Sequence, residues 1–262
     1  MKFDMHCHTK AGSIDAKVPL DRYMEILKEK GFDGMLVTDH DSYKGYRRWF
    51  MSGGGMRAAA KKFTVLCGIE YDTRDAGHFI VIMPGGIMPP VLRLRGMSAK
   101  KLISVVHMLG GVLGPAHPFG TRSASAMFFR KFKKNPQLME KMDFVEGFNT
   151  CESREANMLA VELAKKYGKP CLGGSDSHEE RYIGMAYTEV EGRISCNNDL
   201  IKAIREGRIT DFGGQVREQT AKAKHKEAFY SVWGFKAYNR SLGFIFSPLR
   251  KIRSLRGHHY RA

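Results

Sequence analysis

Apolar runs of strand length recur along this chain, and most of them begin or end on a histidine or a carboxylate. MKFDMHCH carries His6 and His8, FDGMLVTDH ends on His40, and FTVLCGIEYD carries Glu70. GVLGPAHP leads to His117, KPCLGGSDSH to Asp176 and His178, and GHFIVIMP opens on His78. Between the runs lie stretches with helical spacing. PLDRYMEILKEKG has Pro19 suited to a first turn and Gly31 to an exit, and RRWF with MRAAAKKF, AKKLISVVHMLGG and ANMLAVELAKKYG follow. Continuous apolar strands alternating with helices predict a parallel sheet covered on both faces, or a (β/α) barrel. A last strand in IGMAYTEVEG and a helix in NNDLIKAIREG close the regular part near residue 213.

In parallel barrels the reactive residues collect at the carboxyl ends of different strands, so ligands far apart in sequence converge. Six of the ten histidines, together with Glu70 and Asp176, fall at such strand ends. Side chains alternate along a strand, which puts His6 and His8 on one face and Cys7 on the other. The same alternation pairs Asp176 with His178. Asp15, in the loop after the first run, is a ninth candidate able to reach over a barrel mouth. Cys7 is expected to pack between barrel and helices, outside the ligand set.

In this order, HCHTKAGSID, TDH, GIE, AHP and GSDSH resemble the motifs of the PHP (polymerase and histidinol phosphatase) phosphoesterases, over about residues 2–190. The resemblance implies a distorted (β/α)7 barrel over residues 1–213, with a basic insertion near 118–142. A basic, aromatic extension would follow over 214–262. It also implies three divalent metal ions. His6, His8, Glu70 and Asp176 would hold the first, Glu70 with His78 and His117 the second, and Asp15, His40 and His178 the third. The implied activity is that of a metal-dependent phosphatase or phosphoesterase, with His6, His8, Glu70, Asp176 and His178 serving catalysis.

Imidazoles and carboxylates without a thiolate suit zinc, manganese or iron. Two such cations about 3.5–4 Å apart could hold a hydroxide in line with phosphorus, and a third could neutralise charge on the phosphate oxygens. His178, Asp39 and His40 are candidates for protonating a leaving group. Phosphate also calls for cationic donors. Lys10, Arg122 and Arg154 each follow a proposed strand end and are the candidates, while Asn149 could hold a ligand or substrate from behind. Phe128 and Phe129, in the insertion, could stack on a base or sugar or pack on the barrel. His107 reads as a packed helix residue, and His225, His258 and His259 lie away from strand ends. Asp41 and Ser42 read as helix caps and the glycines at 53–55 as a flexible connection.

The 43 Lys and Arg outnumber the 27 Asp and Glu, a formal charge of +16 that favours phosphorylated or polyanionic partners. The expected partner is a phosphorylated small molecule or nucleotide, and nucleic acid is a further candidate. The aromatic, basic tail after Gln215 reads as helices on the barrel, or as a contact for a membrane surface or nucleic acid. No apolar run approaches membrane-spanning length, and the start lacks an apolar signal core. Five scattered cysteines without a CxxC suit free thiols in a reducing cytoplasm. Three readings stand beside the small-molecule phosphoesterase: a nuclease acting on nucleic-acid ends, hydrolysis of a carbon ester or amide, and a non-catalytic metal-holding barrel.

Overall fold

The computed structural model describes residues 1–120 and 124–218. The chain begins with β1 (Lys2–Cys7), α1 (Leu20–Glu29), β2 (Gly34–Val37), α2 (Lys44–Met51) and α3 (Gly54–Ala60). Then come β3 (Thr64–Thr73), β4 (Gly77–Ile82), α4 (Ala99–Met108) and β5 (Val112–Pro115). The described residues of the 118–142 segment include a short 3-10 turn, α5 (Arg130–Lys133) and α6 (Pro136–Glu140). The order closes with β6 (Val145–Asn149), α7 (Arg154–Tyr167), β7 (Cys171–Gly174), β8 (Ala186–Val190), α8 (Asn197–Arg205) and β9 (Ile209–Gly214).

Seven of these strands form one curled sheet in the order β5-β4-β3-β2-β1-β8-β9, and β6 and β7 pair beside it. β7 reaches back to β1 through a parallel bridge between Cys7 and Ser177 and a bond from the Asp176 amide to the His6 carbonyl (2.9 Å). At the other rim the Asp143 amide donates to the Leu113 carbonyl at the start of β5 (2.9 Å). The ring from β1 to β7 is thus a distorted (β/α) barrel. It is not wholly parallel, because β4 runs antiparallel to both β3 and β5. Only residues 74–76 join β3 to β4, a hairpin link, whereas a parallel return needs a crossover of a dozen residues or more. β9, which no apolar run announces, pairs antiparallel with β8, and β8 in turn with the start of β1.

The helices lie outside this ring. α1 buries Leu20, Tyr23, Met24 and Leu27, the i, i+3, i+4, i+7 stripe of a helix with one apolar face. Cys7 is fully buried in the same cluster, with Val18, Tyr23 and Met35. α7 starts on Ser153, whose hydroxyl accepts from the Ala156 amide, and ends on Gly168 in the left-handed region. The glycines at 53–55 do not form a flexible connection: Gly53 is left-handed and the other two open α3. A Cβ on Gly54 would run into the Trp49 ring, so close packing is the reason for a glycine there. No helix among the described residues is long and apolar enough to cross a membrane.

Candidate metal centre

Histidines and carboxylates from six strands meet at one end of the ring. His6 lies in β1 and His8 just past it, while His40 follows β2 and bridges to Glu70. Glu70 does not end its strand as the sequence suggests, since the hairpin keeps β3 extended to Thr73. His78 sits near the start of β4, opposite Asp72. His117, Asp176 and His178 occupy the turns after β5 and β7. His117 (φ 31°) and Asp176 (φ 47°) adopt positive φ, an uncommon conformation for non-glycine residues that is often found at functional sites.

Glu70 stands at the middle. Its Oε1 lies 2.8 Å from His78 Nδ1 and 3.0 Å from His117 Nε2. Its Oε2 lies 2.7 Å from His40 Nδ1, 3.4 Å from His8 Nε2 and 3.5 Å from His6 Nε2. Asp176 Oδ1 is 3.2 Å from His8 Nε2, and Asp15 Oδ2 is 3.2 Å from His178 Nε2 and 3.6 Å from His40 Nε2. Three sets have ligand atoms mutually within 4.8 Å: His6, His8 and Asp176; His40, Glu70 and His78; and His8, His40 and His178. All nine sequence-derived ligand candidates therefore lie in one cluster. His8 and His40 each belong to two of these sets.

Several rings are aimed by a contact on their far nitrogen. His6 Nδ1 donates to Glu146 Oε1 (2.8 Å) and His8 Nδ1 to Ser13 Oγ (3.2 Å). His178 Nδ1 donates to the Asp176 carbonyl (3.0 Å). Each contact turns Nε2 inward, where its lone pair can ligate once the ring is neutral. The Nε2 atoms of His6, His8 and His178, with Glu70 Oε2, are buried, make no hydrogen bond of good geometry, and face other ligand-type atoms. Buried polar atoms are rarely left unpaired, and converging imidazole and carboxylate donors fit divalent cations.

The electrostatics agree with that fit. Burial alone would lower the His6 pKa, but Glu146, Asp176 and Glu70 outweigh it and raise it well above the ordinary value. His40 is likewise raised to about 10: burial opposes, and Glu70 and Asp15 prevail. His8 goes the other way, held low by burial and then by His178 and His40, so its ring is neutral and ready to ligate. Burial pushes Glu70 up, but His78, His40 and His6 bring it well below the carboxylate range. The cluster attracts positive charge.

The remaining sequence candidates are placed more variously. Lys10 is exposed, and its amide bonds the Val18 carbonyl (2.9 Å). Arg154 is the exposed first residue of α7, and Arg122 lies outside the described residues, as does the tail from 219 on. Asn149 does stand behind the ligands, donating to Glu146 Oε2 (3.1 Å) and Asp176 Oδ2 (3.4 Å). Phe129 is buried in the core and Phe128 is partly exposed. Asp39 is fully buried and accepts from the Thr9 amide (2.6 Å), the Thr9 hydroxyl (2.7 Å) and the Ser13 hydroxyl (3.0 Å). It fastens the loop behind His8, and burial raises its pKa to about 6 against the lowering effect of those bonds. Asp41 is not a helix cap. It accepts from the Asp72 amide (2.9 Å) and pairs with Arg95 (3.6 Å), while Ser42 accepts from the Lys44 amide (3.1 Å). His107 lies in α4, paired with Asp143 (2.9 Å).

Sequence reasoning missed Glu146 and Arg217. Arg217 Nη2 donates to the carbonyls of Ser175 (3.0 Å) and Asp176 (2.9 Å), and its guanidinium lies over the Tyr182 ring. A signal for Glu146 was present: a carboxylate in the middle of a buried strand needs partners.

The family profile of the PHP domain matches residues 4–117, and that of the PHP-associated region matches residues 154–209. No curated protein matches significantly. Among solved structures, PsfC from Pseudomonas syringae superposes with a TM-score of 0.59 at 17% identity, covering 92% of this chain and 98% of its own. A candidate metal-dependent phosphoesterase from Bifidobacterium adolescentis gives 0.55 at 13% identity, covering 80% of this chain and 96% of its own. Endonuclease Q, bound to a duplex with an abasic lesion, gives 0.51 at 18% identity, covering 78% of this chain and 56% of its own. At these identities the likeness speaks to the fold.

Proposed function

Because this chain belongs to the PHP family, we propose that it is a metal-dependent hydrolase of phosphate esters acting on a small phosphomonoester or a nucleotide. One observation carries the reading: imidazole nitrogens and carboxylate oxygens of nine ligand-type residues converge with little well-aligned hydrogen bonding among them, the buried His6, His8 and His178 Nε2 and Glu70 Oε2 making none. Three divalent ions, of zinc, manganese or iron, fit the donor set. His6, His8 and Asp176 would hold one, Glu70 with His78 and His117 a second, and Asp15, His40 and His178 the third. Bound there, such ions would supply Lewis acidity and a water acidified enough to react near neutral pH.

The chain's own residues set the stage. Glu70, within 3.5 Å of nitrogens from five rings, is the natural bridge between ions. Asp15 is the most exposed candidate ligand, on the side from which a substrate would enter. His40 and His178 flank Asp15 and are the candidates for passing a proton to the leaving oxygen. Lys10, Arg122 and Arg154 remain candidate donors to the phosphate. Four buried free thiols, Cys7, Cys67, Cys151 and Cys171, support a reducing, cytoplasmic setting.

The test is elemental analysis of the purified protein, then a screen of phosphomonoesters and phosphodiesters with metal restored. Turnover that a chelator abolishes and added metal returns is the expected result. A metal-loaded protein that hydrolyses no phosphate ester would overturn the reading. Nucleic-acid ends as substrate have support of their own: Lys100, Lys101, Arg130, Lys131, Lys133 and Lys134 are exposed on α4 and around α5. Binding of a single-stranded oligonucleotide that weakens steeply with salt would favour that substrate.

A further inference from the structure

Glu146 lies in β6, is 1% exposed, and belongs to none of the three candidate ligand sets. Its two oxygens reach different strands. Oε1 accepts from His6 Nδ1 (2.8 Å) on β1. Oε2 accepts from the His117 amide (2.6 Å) in the turn after β5 and from Asn149 Nδ2 (3.1 Å), which also reaches Asp176 Oδ2 (3.4 Å). One carboxylate therefore touches one candidate ligand directly, a second through its backbone and a third through Asn149. The His117 and Asp176 turns are the two ligand positions with positive φ, so both need outside support to stay in place. Room for this contact depends on a glycine. A Cβ on Gly174 would collide with the His6 side chain and come within 2.9 Å of Glu146 Oε1.

We propose that Glu146 is the shared positioning residue of the metal centre. It fixes the Nδ1–H tautomer of His6 so that Nε2 faces the ions, and it holds the His117 and Asp176 turns at their working positions. This rests on reading the cluster as a metal site, and it would hold whichever ester is the substrate. A carboxylate behind a ligating imidazole orients the ring and raises its basicity, and losing such a partner typically weakens metal binding 10–100-fold. Because Glu146 reaches His6 and His117, implied ligands of two different ions, its loss should weaken more than one ion.

The experiment is zinc binding by chelator competition for the wild-type protein and for Glu146→Gln, with thermal melts of both. The proposal expects zinc dissociation constants raised about 10–100-fold for more than one ion in a protein that still melts cooperatively. A melt lowered with zinc affinity unmoved would make Glu146 merely structural and overturn it. Should Glu146→Gln fail to fold, nitrogen-15 histidine spectra of the zinc-loaded wild type decide. They should show His6 protonated at Nδ1 with zinc at Nε2, and the reverse assignment overturns the proposal. Wild-type protein that binds no zinc removes the metal-site reading and this proposal together. Zinc effects as expected in a protein that hydrolyses no phosphate ester remove only the proposed activity.

Discussion

On the inner side of the cluster, His6, His8, Glu70, Asp176 and His117 lie against the barrel wall and are at most 6% exposed. On the outer side, the Asp15 side chain is 59% exposed, and those of His40 and His178 are 20% and 19% exposed. The inner residues are also held from behind. Glu146 backs His6, Ser13 backs His8, Asn149 reaches Asp176, and Ser125 Oγ lies 3.3 Å from His117 Nδ1. Among the described residues, Asp15 pairs with the two rings it would share an ion with. A preorganised, dry group binds a cation without first ordering its ligands, whereas an exposed carboxylate must be ordered and desolvated on binding. If the cluster holds ions as proposed, the inner side would retain them and the outer side exchange them.

The sharpest way to break that contrast is at its centre. Glu70→Gln removes the charge that both sides share, so retention should fail on both. Metal content should drop by more than one ion per chain, and turnover should fall on the order of 10³-fold, the scale of several kcal/mol of charge stabilisation. Metal analysis of the variant checks this. Loss of a single ion would mean that the sides do not depend on a common bridge.

Acid should act on both sides at once. His6 inside and His40 outside are each raised by carboxylates, so each ring must release a proton before it can ligate. Affinity should therefore rise with pH, about tenfold per unit for each proton displaced, and fall as pH drops from 8 to 5. His8 is already neutral and adds nothing to the slope. Competition titrations across that range measure it. Acid that strips only one side would show that burial, and not charge, dominates there.

Asp15→Asn sharpens the contrast from the outside. One charged contact is worth about 1.5–3 kcal/mol, so the outermost ion should bind roughly tenfold or more weakly while the inner ions stay. Stepwise chelation should then remove one ion early and the rest late. If all ions leave together, exposure of Asp15 has no bearing on retention.

How much of this was legible in advance follows the same division of labour. His6, His8, His40, His117, Asp176 and His178 stood out because barrel chemistry gathers at strand ends, and strand ends can be read from apolar runs. The residues behind them were harder to read. Glu146 sits inside the run DFVEGFNT, where a carboxylate in an apolar strand signals a need for partners but does not identify them, and those partners lie 140 and 29 positions away. Asp41 has a capping residue's composition, but pairing across strands claimed its oxygens before the helix began. The reversed direction of β4 could have been taken from the three-residue link before it. β9 was hidden because no residue of ITDFGG is buried and the run carries little apolar signal.

The smallest expected effect tests how far the inner scaffold extends. Arg217 follows β9, yet its guanidinium reaches the Ser175 and Asp176 carbonyls after β7, and its amide bonds the Thr150 carbonyl after β6 (3.0 Å). It also lies 3.9 Å from the Tyr182 ring centroid. The residue thus ties the ends of β6 and β7 together beside a ligand turn that already has positive φ. Arg217→Ala should cost about 1–3 kcal/mol of stability, the range for a charged donor lost from buried carbonyls. It should weaken the ion at Asp176 only a few-fold, since Asn149 still holds the carboxylate. Arg217→Lys keeps the charge but not the planar fork that serves both carbonyls, so it should recover less than half of the stability. Thermal melts and zinc competition on the two variants separate the outcomes. Recovery by lysine would make the contact one of charge alone, whereas its failure would extend the preorganised inner side past the barrel to residue 217.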